Sequence, residues 1–234
     1  MAGCKRGPPT EQEIWKIARR TTDIIESNIT NHCCLFGSAA SSLWADIGRV
    51  PHDIDIVVSE DPEDPYESLD PEDIKEQIVL ADSRYYLEQS RKRGATYQIL
   101  YCRLPGWSTD PERCVKVDIL VPPTLGLPTI TDSDIFLIDN IPVMPIFDLL
   151  VMKTQGWWDH RNSPRTDFQR KEDNDISDVI ALLESAREEE VSYVDEAEED
   201  RHSRAFMGHA RALANRFIRA YGMRREWRAL HFPV

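Results

Sequence analysis

The amino-acid sequence predicts an α+β fold, in which a mixed central β-sheet with flanking helices is followed by a C-terminal helical part. Three observations predict this fold. Residues 33–58 have the pattern strand, turn, helix, strand. Residues 96–104 and 113–121 are strand-like segments separated by Pro-Gly and Asp-Pro turn signals, which is typical of a hairpin. After Pro145, apolar residues recur at helical intervals.

Length and composition limit the possible classes of protein. The 234 residues suit one domain with a large core or a compact domain with a smaller helical partner. We divide the chain into a core, residues 1–144, and a C-terminal helical part, residues 145–234. A net charge of -13 argues against a protein that coats nucleic acid, although a small or locally bound RNA is not excluded. The sequence contains no apolar run of membrane-spanning length and no secretory signal at its start. We therefore expect a cytoplasmic protein without membrane contacts.

The first half of the chain begins with a helix. Thr10 and Glu13 have the spacing of a capping box, and apolar residues then recur at helical intervals up to Ile25. The two strands at the ends of residues 33–58 follow. The Asp70-Pro71 pair then predicts a helix start, and the apolar spacing extends this helix through Tyr85 to about residue 94.

The second half is predicted to be mostly helical. Short strands at residues 135–138 and 141–144 flank a turn at Asp139-Asn140, and a helix follows Pro145. The polar and aromatic residues 156–166 are predicted to be a loop. Further helices are predicted over residues 173–184 and 204–221, with an exposed acidic connection between them.

The sharpest chemical signal is the alternation in residues 53–58. Asp53 and Asp55 share one face of the predicted strand, while the apolar residues between and after them share the other. Two carboxylates on one face repel each other and gain little from packing, so a divalent cation with oxygen ligands is their natural partner. Asp118 lies in the middle of another apolar strand, and it can join the pair if its strand lies beside theirs.

Gly37-Ser38 at a strand-to-helix turn, Asp53-Ile54-Asp55-Ile56 and the later Asp118 together resemble the DNA polymerase β-like nucleotidyltransferase superfamily. The resemblance covers about residues 30–125. It implies that residues 1–144 form a nucleotidyltransferase core and that residues 145–234 are the helical part of a small, single-copy member of the antibiotic-modifying type.

The resemblance implies a reaction and a set of site residues. The expected activity is Mg²⁺-dependent transfer of NMP from an NTP, most simply ATP, to a hydroxyl group. Two Mg²⁺ ions, with Mn²⁺ as a substitute, would be held by the three carboxylates Asp53, Asp55 and Asp118, which are also the expected catalytic residues. The expected nucleotide-binding residues are Gly37, Ser38 and Lys153.

Other interpretations of the sequence stay open. Asp53-Ile54-Asp55 could be the metal-binding DxD of a nucleotide-sugar glycosyltransferase, or the domain could be a binding or regulatory partner without catalysis. The acceptor is expected to be a small molecule, and the acidic surface favours a cationic one, with tRNA or protein as alternatives. The five cysteines are expected to be reduced and mostly buried. Asp175 and Asp178 are expected to be capping and surface residues.

Overall fold

The fold is described by a computed structural model that covers residues 7–61, 68–92, 94–104, 113–169, 171–188, 202–230, 232 and 234. The predicted α+β class is confirmed, because the described residues combine one mixed β-sheet with helices. The chain divides into two compact units. The first consists of residues 1–42 and 48–144, and the second of residues 43–47 and 145–234.

The first unit contains a sheet to which the described residues contribute seven strands in the order β3-β4-β5-β2-β1-β7-β6. The pairs β2–β5 and β1–β7 are parallel and the other neighbours are antiparallel, so the predicted mixed sheet is confirmed. The strands are β1 (Cys33–Phe36), β2 (Asp53–Val58), β3 (Tyr85–Gln89), β4 (Gln98–Arg103), β5 (Cys114–Leu120), β6 (Phe136–Ile138) and β7 (Ile141–Val143).

One face of the sheet is buried and the other is open across β2, β5, β4 and β3. In β5, Val115, Val117 and Ile119 are buried, whereas the intervening Lys116 and Asp118 are partly exposed. Helices α1 (Glu11–Asn28) and α3 (Pro71–Ala81) contact the sheet. The predicted capping box at the start of α1 and the predicted β4–β5 hairpin are both confirmed. Helix α2 (Gly37–Trp44) follows β1 directly.

The third helix is shorter than its apolar spacing predicts. Helix α3 ends at Ala81, and the residues from Tyr85 onward form β3 instead of continuing the helix. The break lies at Asp82, whose backbone is extended and whose side chain pairs with Arg20 and Arg84. The helical spacing continued into Tyr85 by coincidence, because this buried tyrosine packs as part of a strand and bonds Thr21.

The described residues of the second unit are mostly helical. Its helices are α4 (Ile146–Asn162), α5 (Thr166–Gln169), α6 (Glu172–Glu188), α7 (Arg204–Tyr221) and α8 (Arg224–Ala229). The predicted helices over residues 173–184 and 204–221 are confirmed, whereas most of the predicted acidic connection lies outside the described residues. No helix in the described ranges combines the length and the apolar character needed to cross a membrane.

The loop predicted for residues 156–166 is wrong over most of its length, because α4 continues to Asn162. Trp157 explains the continuation. It is buried, and its ring packs edge to face on Phe217 and Tyr221 of α7. Packing between helices therefore stabilises a segment whose composition resembles that of a loop.

Candidate active site

The three predicted carboxylates are carried by two neighbouring strands. β2 and β5 are parallel, and their register places Asp55 opposite Asp118 and Asp53 opposite Lys116. In a sheet, residues opposite each other on neighbouring strands point to the same face. Asp53 is two residues before Asp55, so its side chain points to that face as well. The structure thus brings the three carboxylates to one open face in the middle of the sheet.

Gly37 lies against this group of carboxylates. A Cβ atom added at Gly37 would be 2.2 Å from Asp55 Oδ2 and 3.0 Å from its Cγ, which is far inside van der Waals contact. Gly37 also has a φ of +68°, a conformation that side chains disfavour. Only glycine therefore permits both the turn from β1 into α2 and the position of the Asp55 carboxylate.

Ser38 is the second residue of α2 and hydrogen-bonds an arginine that sequence reasoning missed. Arg49 Nη2 donates to Ser38 Oγ at 2.9 Å. The first amides of a helix attract negative charge, and a guanidinium beside them strengthens this attraction. Arg49 lies in the connection between α2 and β2, where no spacing rule predicts that its side chain returns to Ser38.

Lys116 is the other residue that sequence reasoning left without a role. Its ammonium group pairs with Asp118, and both side chains are about one-third exposed, at 37% and 34%. Burial lowers the pKa of Lys116, but the hydrogen bond to Asp118 and the charges of Asp118, Asp53 and Asp55 outweigh burial, so the pKa is raised. A single cation is therefore already stabilised by all three carboxylates.

These residues fit a divalent metal ion in the type of their donor atoms but not in their present arrangement. Within the described ranges, no three or more His, Cys, Asp or Glu side chains are arranged to hold a metal as they stand. The donors nevertheless fit in kind, because carboxylate oxygens are the ligands that Mg²⁺ prefers. The Lys116 ammonium, which pairs with Asp118, would have to leave this carboxylate when a metal binds.

Lys153, the remaining predicted nucleotide-binding residue, belongs to the second unit. It lies on α4, its side chain is only 9% exposed, and its Nζ is 2.6 Å from Oδ2 of the fully buried Asp178 on α6. Its part in nucleotide binding stays a prediction, and the amine would have to leave Asp178 to contact a phosphate.

Asp175 and Asp178 are not surface residues, contrary to expectation, since both are buried. Asp175 Oδ2 is 2.5 Å from Nδ1 of His160 on α4. Burial raises the pKa of Asp175, and the contributions of His160 and Lys153 only partly oppose that increase. The helical spacing of α6 could not predict that these two acids are buried, because their charged partners lie on a different helix, α4.

A groove of about 1150 Å³ opens beside the carboxylates on the same face of the first unit. Asp55 and Asp118 line it at one end, and it extends over β5, β4 and β3. Its far part is lined by Tyr86, Tyr97 and Tyr101, which we call the aromatic wall. This volume is sufficient for a drug-sized molecule.

Comparison with known protein families, curated proteins and solved structures finds no match to this chain.

Proposed function

We propose that this protein is a Mg²⁺-dependent nucleotidyltransferase of the polymerase β-like class, which transfers NMP from an NTP, most simply ATP, to a hydroxyl group. The single observation that carries the proposal is the register of β2 and β5, with Asp55 opposite Asp118 and Asp53 on the same face. The close approach of Gly37 to Asp55 supports it, because a strand-to-helix turn there brings backbone amides next to the carboxylates.

The donor triphosphate would bind at the start of α2. The amides after Gly37 and the Ser38 hydroxyl donate to phosphate oxygens, and Arg49 adds a positive charge at the same place. The side of the carboxylates that faces β1 and α2 is thus the side where negative charge is stabilised. The pyrophosphate leaving group is held on that side.

In the transfer step, a bond forms between the acceptor hydroxyl oxygen and the α-phosphorus, and the bond from that phosphorus to the bridging oxygen breaks. Pyrophosphate leaves with the bond electrons. Asp118 accepts the hydroxyl proton, while Asp53 and Asp55 would hold the cations that offset the charge of the reacting phosphate. Bound Mg²⁺ would supply the positive charge that makes the phosphorus electrophilic and lowers the pKa of the hydroxyl group. Asp53, Asp55 and Asp118 are the residues that would hold it.

The proposal is tested by calorimetric titration of each of the four NTPs, with and without Mg²⁺. We compare the wild type, the Asp53→Asn/Asp55→Asn variant and a control variant, Asp139→Asn. Asp139 has a φ of +51° in the β6–β7 turn, where asparagine is readily accommodated, so the control changes one carboxylate without altering the site. We expect Mg²⁺-dependent binding of at least one NTP to the wild type and the control, and its loss in the double variant.

Two other results would replace the proposal. Binding of nucleotide sugars in place of NTPs would indicate the DxD glycosyltransferase. NTP binding that survives in the Asp53→Asn/Asp55→Asn variant, with no release of pyrophosphate by the wild type, would indicate a binding protein without catalysis.

A further inference from the structure

The acceptor side of the site is determined by the strand order. In an in-line displacement the attacking and leaving oxygens lie on opposite sides of the phosphorus. The donor phosphates are assigned above to the side of β2 that carries β1 and α2. The acceptor must then approach over β5, β4 and β3, which is where the groove extends.

On the open face of β5, β4 and β3, a row of side chains runs across the strands from the carboxylates. Tyr86 is opposite Tyr101 in the β3–β4 pair, Tyr101 is opposite Lys116 in the β4–β5 pair, and Lys116 is opposite Asp53. One continuous row therefore connects two tyrosine rings with the carboxylates. A molecule lying on these rings can reach Asp118, which is two residues after Lys116 on β5.

The tyrosines are arranged as a stacking surface. The rings of Tyr86 and Tyr101 have centroids 5.6 Å apart with an angle of 24° between their planes, and the Arg103 guanidinium lies 4.2 Å from the Tyr86 centroid. Burial raises the pKa of both phenols, and nearby Glu88 adds to the increase, so both rings are neutral at ordinary pH. Such a surface suits a flat ring system.

The far end of the groove carries more cations than carboxylates, because Lys75, Arg91 and Lys92 line it together with Glu72 and Glu88. The ammonium groups of Lys75 and Lys92 lie 5.9 and 6.0 Å from the ring centroid of Tyr97. Arg91 lines the same part of the groove. Among the described residues, neither Arg91 nor Lys92 takes part in an ion pair, whereas Lys75 is held by Glu72. Two positive charges at this end that lie outside any ion pair of the described residues suit an anionic group.

We propose that the aromatic wall is the acceptor site and that it takes a small molecule with a flat ring system and an anionic group. The ring lies on Tyr101, the anionic group is held by Arg91 and Lys92, and the hydroxyl of the same molecule is presented to Asp118. This inference depends on the proposed function for the reaction. It replaces the cationic acceptor that the overall charge of the chain favours, because the groove itself is aromatic and ends in cations.

The test uses two fluorescent probes, flavin mononucleotide and riboflavin, which share a flat ring system and differ by one phosphate group. Titrations are performed without Mg²⁺ and without NTP, so they report on the groove even if the protein has no transferase activity. We expect flavin mononucleotide to bind about tenfold more tightly than riboflavin, since charge-assisted hydrogen bonds hold its phosphate. Spermine, a flexible polycation, should not compete.

Variants separate the two parts of the groove. Tyr101→Thr keeps a residue that favours strands and should weaken both probes about tenfold through lost stacking. Arg91→Gln/Lys92→Gln should abolish the difference between the probes and leave riboflavin unchanged. Its matched control, Lys16→Gln/Arg211→Gln, removes the same charge at exposed positions on α1 and α7. Circular dichroism confirms that each variant is folded.

The outcomes distinguish this inference from the proposed function. The Asp53→Asn/Asp55→Asn variant should lose NTP binding and keep probe binding. If flavin mononucleotide fails to bind, or binds unchanged to Tyr101→Thr but not to Ser38→Ala, the acceptor assignment is wrong while the nucleotidyltransferase proposal stands. Displacement of the probe by spermine would overturn it as well, in favour of a cationic acceptor.

Discussion

Asp55 and Asp118 lie directly opposite each other on adjacent parallel strands, and the carboxylate of Asp55 also lies where a side chain on Gly37 would be. Three distant segments of the chain therefore fix the position of one carboxylate. This relationship gives the sharpest test of the site, because it can be disturbed without removing any charged group.

Gly37→Ala should slow transfer about a hundredfold and leave the fold intact. The added methyl group would be 2.2 Å from Asp55 Oδ2, so the carboxylate must move, and a displacement of this kind costs about a hundredfold in rate. Gly48→Ala is a matched control, since Gly48 has nearly the same φ, +69°, but open space around it. Both variants should lose about 1 kcal/mol of stability from the positive φ. Equal activities of the two variants would contradict the role of Gly37.

Lys116→Met should make the protein bind Mg²⁺ more tightly, because the ammonium group no longer competes for Asp118. Without metal, the three carboxylates repel each other, and stability should decrease by no more than about 1 kcal/mol, since the pair is partly exposed. Mg²⁺ at ten times its dissociation constant should then add about 1.4 kcal/mol. Thermal unfolding with and without Mg²⁺ measures both effects, with Lys16→Met as the control. A melting temperature that does not respond to Mg²⁺ in either protein would argue against the metal site.

Lys153→Met should reduce the free energy of unfolding by about 3 to 5 kcal/mol, because it leaves the fully buried Asp178 without the charge that faces it. Lys153→Met/Asp178→Asn should recover part of this loss. Denaturant unfolding gives the free energies, and titration with NTP shows whether Lys153 also contacts the donor. An NTP dissociation constant unchanged in the folded single variant would remove Lys153 from the nucleotide-binding residues.

Asp82 should make the stability depend on pH in the acid range. Burial raises the pKa of Asp82, but its bonds to Arg20 and Arg84 outweigh burial and hold the pKa below the usual 3.8. The stabilising contribution is therefore complete above about pH 3.8 and is lost as the pH decreases through the lower value in the folded protein. Asp82→Asn should cost about 1 to 2 kcal/mol at pH 7. This difference from the wild type should disappear at the lowest pH values. A difference independent of pH would show that the ion pairs do not contribute.

Much of the fold could be predicted from the sequence, because most elements follow local rules. The capping box at Thr10, the alternation over Asp53–Val58 and the turn signals between β4 and β5 each depend on nearby residues. The errors occurred where long-range packing overrides local pattern. β3 was predicted to be helical, and the end of α4 was predicted to be a loop although Trp157 is buried there.

The site residues also differ in whether a local sequence pattern could predict them. Alternation alone placed Asp53 and Asp55 on one face, and the isolated polar residue in an apolar strand identified Asp118. Arg49 could not be predicted, because its contact with Ser38 depends on the path of the connection between α2 and β2. The aromatic wall could not be predicted from the sequence either, since Tyr86 and Tyr101 become neighbours only through the pairing of β3 with β4.

The strand order β3-β4-β5-β2-β1 places the residues proposed for transfer and those proposed for acceptor binding on different strands. The carboxylates lie on β2 and β5 in the interior of the sheet, where each change affects a neighbour on both sides. Tyr86 lies on β3, at the edge of the sheet, and can be replaced without altering the register of the strands that hold the carboxylates. New acceptor preferences can therefore arise, in evolution or in the laboratory, by substitutions along one edge while the chemistry of transfer stays the same.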